Sequence, residues 1–158
     1  MNILFLCTHN ACRSVLAESI ARHTGVGLWQ VASAGSHPAG RVHPDTLAAL
    51  REKGLPTDGL SSQSWDELSD FQPDVVITVC DQAAGETCPV WFGKAVKAHW
   101  GLPDPTREDD DSKRRQRFDE VISTLERRLQ RLAQFISKGA ASDRDALQAQ
   151  LTTLKEIN

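Results

Sequence analysis

No stretch of this 158-residue chain approaches the ~18–20 consecutive apolar residues of a membrane span, and its first residues lack a secretory signal's basic start and small-residue cleavage site. A cytoplasmic location is the expectation. Basic residues are not in excess: the formal net charge is −3, with no basic stripe to give nucleic acid an electrostatic footprint. No Cys-x-x-Cys is present, which disfavours a zinc ribbon, and neither a resident metal nor a bound cofactor is expected. The four cysteines fall unevenly at positions 7, 12, 80 and 88, and a compartment that keeps thiols reduced argues against structural disulfides. Internal repeats and low-complexity tracts are missing too. What remains, 40% hydrophobic and 25% charged residues, is a globular chain of one-domain size with enough apolar material for a real core.

The most informative segment lies near the amino terminus. Ile3-Leu4-Phe5-Leu6 runs directly into Cys7-Thr8-His9-Asn10-Ala11-Cys12-Arg13-Ser14, and an amphipathic stretch follows. This reads as a buried strand, a tight loop and a helix from about Arg13 to His23. Loop N–H groups at a helix N-terminus concentrate positive potential, the right environment for an oxyanion and for a nucleophilic thiolate at Cys7. Arg13 adds a planar fork of donors that matches a tetrahedral oxyanion. Ser14 fits either of two roles, a hydrogen bond to the Cys7 sulfur or an ordinary helix-start residue. Asn10 fits a turn braced by its own side chain.

Further along, Leu28 to Ala34 predicts a second strand, and Pro44 to Gly54 a helix with Leu47 and Leu50 on its apolar face. Ser64 to Asp70 predicts a short polar helix. Asp74-Val75-Val76-Ile77-Thr78-Val79-Cys80 is the strongest strand, its β-branched run suited to burial on both faces. Val96 to Trp100 predicts a fourth. A long helix begins near Ser112, where Phe118, Val121, Ile122, Leu125, Leu129, Leu132, Phe135 and Ile136 recur at spacings of three and four. Strands alternating with helices point to an α/β domain with a mainly parallel sheet, in which ligands bind beyond the carboxyl ends of the strands. Cys7, Cys80 and Asp104 all follow strand ends. Residues 1–137 form the expected catalytic domain. A break at Gly139-Ala140-Ala141 separates it from a 138–158 extension, where Leu147, Leu151 and Leu154 suggest a helix.

Asp104 stands between Pro103 and Pro105 in a stiffened loop, either as a turn residue or as a carboxyl held over the oxyanion as general acid. The Glu108-Asp109-Asp110-Asp111 run reads as a solvated helix start, its acidic residues complementing the helix dipole.

With its amino-terminal Cys-x5-Arg-Ser loop and its Asp-Pro toward the carboxyl end, the chain resembles the low-molecular-weight protein tyrosine phosphatases over roughly residues 1 to 137. More closely, it resembles the arsenate reductases built on that fold. The resemblance implies a four-stranded parallel sheet flanked by helices, a flavodoxin-like three-layer sandwich. Two features favour the reductase branch. Thr106 rather than tyrosine follows Asp104-Pro105, and the chain has no tyrosine at all, whereas the phosphatases place tyrosines there for an aromatic ester. Cys80 and Cys88 match the extra cysteine pair that the reductases carry after the third strand.

The resemblance implies a thiol relay that contributes to arsenic detoxification. Cys7 attacks arsenate held by the amides from Thr8, His9, Asn10, Ala11 and Cys12 to Arg13 and Ser14 and by the Arg13 side chain, while Asp104 protonates the departing oxygen. Cys80 attacks the arsenylated Cys7, and Cys88 then takes over the disulfide as Cys80–Cys88, which thioredoxin, or glutathione with glutaredoxin, reduces. Phosphate and sulfate would bind as mimics. If residues 81 to 88 start as helix, Cys80 and Cys88 stand about 12 Å apart at ~1.5 Å per residue, against the ~4.4–6.8 Å of bridged Cα atoms, so the segment is expected to rearrange. His9 replaces a glycine common in such loops, and its side chain is expected to face solvent rather than tune Cys7. Cys12 is read as a backup thiol or a packing residue. Some relatives bind potassium through residues matching Asn10, Glu18 and Ser33 with an acidic residue near 65; Trp65 stands there, and no cation is expected. The alternatives are a tyrosine phosphatase needing only Cys7, Arg13 and Asp104, and a non-catalytic redox-sensing or oxyanion-binding module.

Overall fold

The computed structural model describes residues 1–85, 92–139 and 142–158. Four parallel strands, β1 (Asn2–Leu6), β2 (Gln30–Ala34), β3 (Val75–Thr78) and β4 (Val96–His99), form one sheet in the order β2-β1-β3-β4. Strand alternation sorts the core into two faces. Ile3, Phe5, Val75 and Ile77 pack against α1 (Arg13–Thr24), α4 (Asp111–Ser137) and α5 (Arg144–Leu154). Leu4, Leu6 and Val76 point to the other face, where Phe92 and Ala95 join them and Trp65, Leu68 and Phe71 pack alongside. The expected α/β class with a four-stranded parallel sheet is what the chain adopts.

Topology positions the site. After β1 the chain crosses through α1 to β2 on one side, then returns through α2 (Pro44–Glu52) and a 3-10 turn at Trp65–Leu68 to β3 on the other. The loops leaving β1 and β3 therefore emerge side by side at the switch in strand order, where ligand crevices form. Val79 continues the ladder by donating to the Leu6 carbonyl, so Cys80 enters level with the loop after β1. The four-residue helix α3 (Asp81–Ala84) follows directly.

Several boundaries differ from the sequence expectation. β2 begins at Gln30 rather than Leu28, because Trp29 turns its indole into the end of α1 and donates Nε1–H to the Ala21 carbonyl. The polar helix expected over Ser64–Asp70 is a single 3-10 turn closed by a capping box between Ser64 and Glu67. β3 occupies only Val75–Thr78 of the expected 74–80 run, and β4 ends at His99 rather than Trp100. α4 ends at Ser137 and Gly139 takes a left-handed φ of 80°; residues 140–141 of the expected break lie outside the described residues.

α5 buries Leu147, Leu151 and Leu154 and shields the β4 edge: Arg144 donates to the Lys94 carbonyl and Gln148 Nε2 to the Lys97 carbonyl at 3.1 Å. Trp100 Nε1 donates to the Leu151 carbonyl at 3.0 Å. Arg128, buried under the end of the chain and 5.8 Å from the Trp100 ring, donates Nε–H to Ile157 O and Nη2–H to Lys155 O. Burial lowers the Arg128 pKa, and the charge of Glu156 opposes that shift.

Candidate active site

The loop between β1 and α1 is turned inside out relative to ordinary backbone. The carbonyls of Thr8, His9 and Ala11 face outward and accept from the N–H groups of His37, Ala39 and His43. Among the described residues, no N–H of residues 9–12 donates to a backbone carbonyl, which leaves these amides for the concave side. Gly35 makes the arrangement possible. A Cβ there would stand 2.6 Å from the Cys7 carbonyl oxygen and closer still to that of Thr8, so only glycine lets the end of β2 approach. Asn10 takes a left-handed φ of 46°, a conformation Asn tolerates.

A buried polar chain fixes the nucleophile. The Asn10 side chain does not brace its own backbone as expected but reaches across the loop. Its Oδ1 accepts from Gln63 N–H at 2.9 Å, which orients the amide. Nδ2 then donates to Ser14 Oγ at 2.8 Å and Ser33 Oγ at 3.0 Å. Ser33 donates its O–H to Glu18 Oε1 at 2.7 Å. Because Ser14 Oγ already accepts from Asn10, its own O–H is free for the sulfur of Cys7, 2.8 Å away. That decides the role of Ser14: α1 has no side-chain cap bond at its N-terminus, and the hydroxyl serves Cys7. Glu18 is also paired with Arg22, so a side-chain cation supplies the positive charge at this carboxylate. Burial raises the Glu18 pKa, with Ser33 and Arg22 opposing.

The loop carries two thiols. Cys7 and Cys12 are both buried and free. Burial pushes the Cys12 pKa from 9.0 up to about 12, opposed by a hydrogen bond with Thr46. Cys12 is therefore a neutral thiol near pH 7, a packing residue with little nucleophilic character. His9 is exposed, as expected.

Around the mouth of the loop, Cys7, His9, Ala11, Cys12, Arg13, His43, Asp104 and Thr106 enclose a cavity of ≈ 110 Å³. That is well under the roughly 300–1,000 Å³ of sites for drug-sized ligands, and suits a small anion better than a bulky ester. A groove of ≈ 560 Å³ along α4, lined in part by Leu102, Pro103 and Arg127, has no cysteine in its lining. Arg13 is steadied by donating Nη1–H to the Leu102 carbonyl at 3.0 Å, and its Nη2 lies 3.7 Å from Asp104 Oδ2. Asp104 is a turn residue that also lines the cavity. Oδ1 caps a 3-10 turn by accepting from the Thr106 N–H and O–H at 3.0 and 2.6 Å, while Oδ2 faces Arg13 in the cavity and lies 3.7 Å from the exposed Arg107 Nε.

Cys80 joins the site from β3. Its buried sulfur accepts from Thr8 N–H and from Ala83 N–H, each at 3.4 Å, and lies 3.7 Å from Thr8 Oγ1. A second free thiol is thus in contact with the residue that follows Cys7. Cys88 lies outside the described residues. Among the described residues no cluster of His, Cys, Asp or Glu could hold a metal ion, and no helix is long and apolar enough to cross a membrane. Ser33 and Glu18, grouped with Asn10 by the family resemblance, do meet it in one hydrogen-bonded chain, whereas nothing in the local sequence marks Gln63, which braces Asn10 from 53 residues away.

This loop and fold have known counterparts. The family model described as low molecular weight phosphotyrosine protein phosphatase matches residues 2–142. The chain belongs to this family. Within the family its curated relatives include an arsenate reductase of Staphylococcus epidermidis, 34% identical over 124 residues covering 78% of this chain and 92% of the relative. An arsenate reductase of Bacillus licheniformis is 34% identical over 133 residues, 84% of this chain and 94% of the relative. Among solved structures, an arsenate reductase in the phosphate binding state superposes with a TM-score of 0.71 at 30% identity, covering 85% of this chain and 98% of that one. The thioredoxin-dependent arsenate reductase of Corynebacterium glutamicum gives a TM-score of 0.68 at 28% identity, covering 87% of this chain and 62% of that one.

Proposed function

We propose that this protein is an arsenate reductase working through Cys7, Cys80 and Cys88 in turn. The observation that carries the reading is the buried Cys80 sulfur held against Thr8 N–H, a second thiol at the nucleophile's loop that phosphate-ester hydrolysis does not need. The naming of the family's curated relatives supports it.

In this reading the amides of residues 9–14 and the free part of the Arg13 fork bind arsenate, while Thr8 N–H, expected among them, is committed to the Cys80 sulfur. The Cys7 thiolate, its sulfur steadied by Ser14 O–H, attacks arsenic, and an oxygen leaves as water with a proton from Asp104 Oδ2, the oxygen not committed to Thr106. Cys80 then attacks the Cys7 sulfur. A sulfur–sulfur bond forms, the sulfur–arsenic bond breaks with its electron pair moving to arsenic, and arsenite departs. Cys88 attacks Cys80, freeing Cys7 and leaving a Cys80–Cys88 disulfide. An external dithiol reduces that bond, and the thioredoxin-dependent neighbour makes thioredoxin the proposed donor over glutathione with glutaredoxin. Such a cycle needs thiols kept reduced, which favours the cytoplasm. Residues 1–137 carry the chemistry, and 138–158 serve as a structural extension.

Steady-state arsenate turnover with each reducing system, using Cys7→Ser, Cys80→Ser and Cys88→Ser, tests the proposal. All three variants should lose turnover. Phosphate-monoester hydrolysis that persists in Cys80→Ser and Cys88→Ser, with no arsenate reduction in the parent, would instead establish a phosphatase, the activity in the family's description. A protein turning over neither would be a binding module.

A further inference from the structure

We infer that His99, outside the arsenate cavity, is a positioning residue that holds Cys80 in place by latching the first residue of α3. Thr78 and His99 are directly paired at the ends of β3 and β4. Between them Thr78 Oγ1 and His99 Nδ1 stand 2.8 Å apart, and His99 Nε2 is 2.8 Å from Asp81 Oδ1. Asp81 immediately follows Cys80 and opens α3. The Cys80 sulfur depends on that first turn, since one of its two N–H donors is Ala83 within the helix. His99 thus ties the rigid end of β4 to the residue beside the second thiol.

The hydrogen bonding is consistent in either protonation state of the imidazole. If His99 is neutral, Thr78 donates its O–H to Nδ1 and Nε2–H donates to Asp81. If it is an imidazolium, Nδ1–H donates to Thr78 Oγ1 and Nε2–H still donates to Asp81. The latch therefore fits both states of the imidazole. Gly101 leaves room for it: a Cβ there would stand 2.9 Å from both Asp81 Oδ1 and His99 Nε2. The Asp81 side chain is 95% exposed and that of His99 38%, so the tie is weak enough to be released when the segment after Cys80 rearranges.

The inference rests on the relay reading of Cys80, and its test separates the two. In the reduced full-length protein, the rate of iodoacetamide labelling at Cys80, followed by peptide mass spectrometry, reports how often α3 opens. His99→Phe keeps the bulk without the bond, and Asp81→Ala removes the acceptor from an exposed position. Both should label about twofold to fivefold faster than the parent, the range expected of an exposed pair, while His99→Gln, which can still donate to Asp81, should stay near the parent rate. Single-turnover arsenite release should slow by a similar factor in His99→Phe and Asp81→Ala. Labelling no faster than the parent in these two variants, or equal acceleration in His99→Gln, would overturn the latch. Faster labelling with arsenite release unaffected by Cys80→Ser would uphold the latch and overturn the relay.

Discussion

Replacing Ser14 by alanine removes a side-chain hydroxyl in contact with the Cys7 sulfur. The contact is 2.8 Å long, Ser14 is fully buried, and no solvent can substitute for the lost donor. A hydrogen bond to a charged acceptor contributes about 1.5–3 kcal/mol, so Cys7 in Ser14→Ala should react more slowly near neutral pH, by up to roughly 150-fold, the lower thiolate population outweighing the greater nucleophilicity of each thiolate. Asn10 Nδ2 also loses one of its two acceptors, which should cost the fold about 1–3 kcal/mol. The two effects are measured separately: carboxymethylation of Cys7 at pH 7 and kcat/KM for arsenate report the first, urea denaturation the second. A variant that loses stability yet alkylates Cys7 within twofold of the parent would refute the argument that the Asn10–Ser14 chain directs a proton at the sulfur.

Three further outcomes follow from the packing. Cys12 keeps its proton to about pH 12 when folded but loses it near pH 9 when unfolded, so the unfolded chain binds fewer protons in that window and stability falls as pH rises. Relative to Cys12→Ala, the parent should lose about 1.4 kcal/mol between pH 8 and pH 10 in urea denaturation. Gly35→Ala should cost about 1–3 kcal/mol by thermal unfolding and depress turnover more than stability, because its Cβ pushes directly on the Cys7 carbonyl. Arg128→Ala should release the carbonyls of Lys155 and Ile157, cost about 3 kcal/mol, and raise hydrogen exchange across residues 144–158 while the Cys7 loop stays protected.

What could be read in the sequence was whatever is encoded locally. The apolar runs at 3–6 and 75–77, the three-and-four spacing of α4 and the loop from Cys7 to Ser14 are each contiguous, and each took the expected form. The site's second tier is not contiguous. Gln63 orients Asn10, Ser33 connects it to Glu18, and His99 reaches Asp81; each contact joins residues distant in sequence that only the folded arrangement of strands, helices and loops brings together. Two choices needed geometry. Ser14 could cap a helix or serve a thiolate, and the absence of a side-chain cap bond on α1 with the hydroxyl 2.8 Å from the Cys7 sulfur decides for the second; Asp104 caps a turn with one oxygen and faces Arg13 with the other. Trp29 shows the complementary failure: an apolar residue beside a strand packed against a helix end instead of extending the strand.

The relay is tested most directly by trapping its middle. Cys88→Ser, reduced and then given one equivalent of arsenate without any reductant, should release a single equivalent of arsenite and stop. Non-reducing peptide mapping should then show Cys7 joined to Cys80. Arsenite release with Cys7 and Cys80 both still free thiols, or continued turnover, would contradict the account.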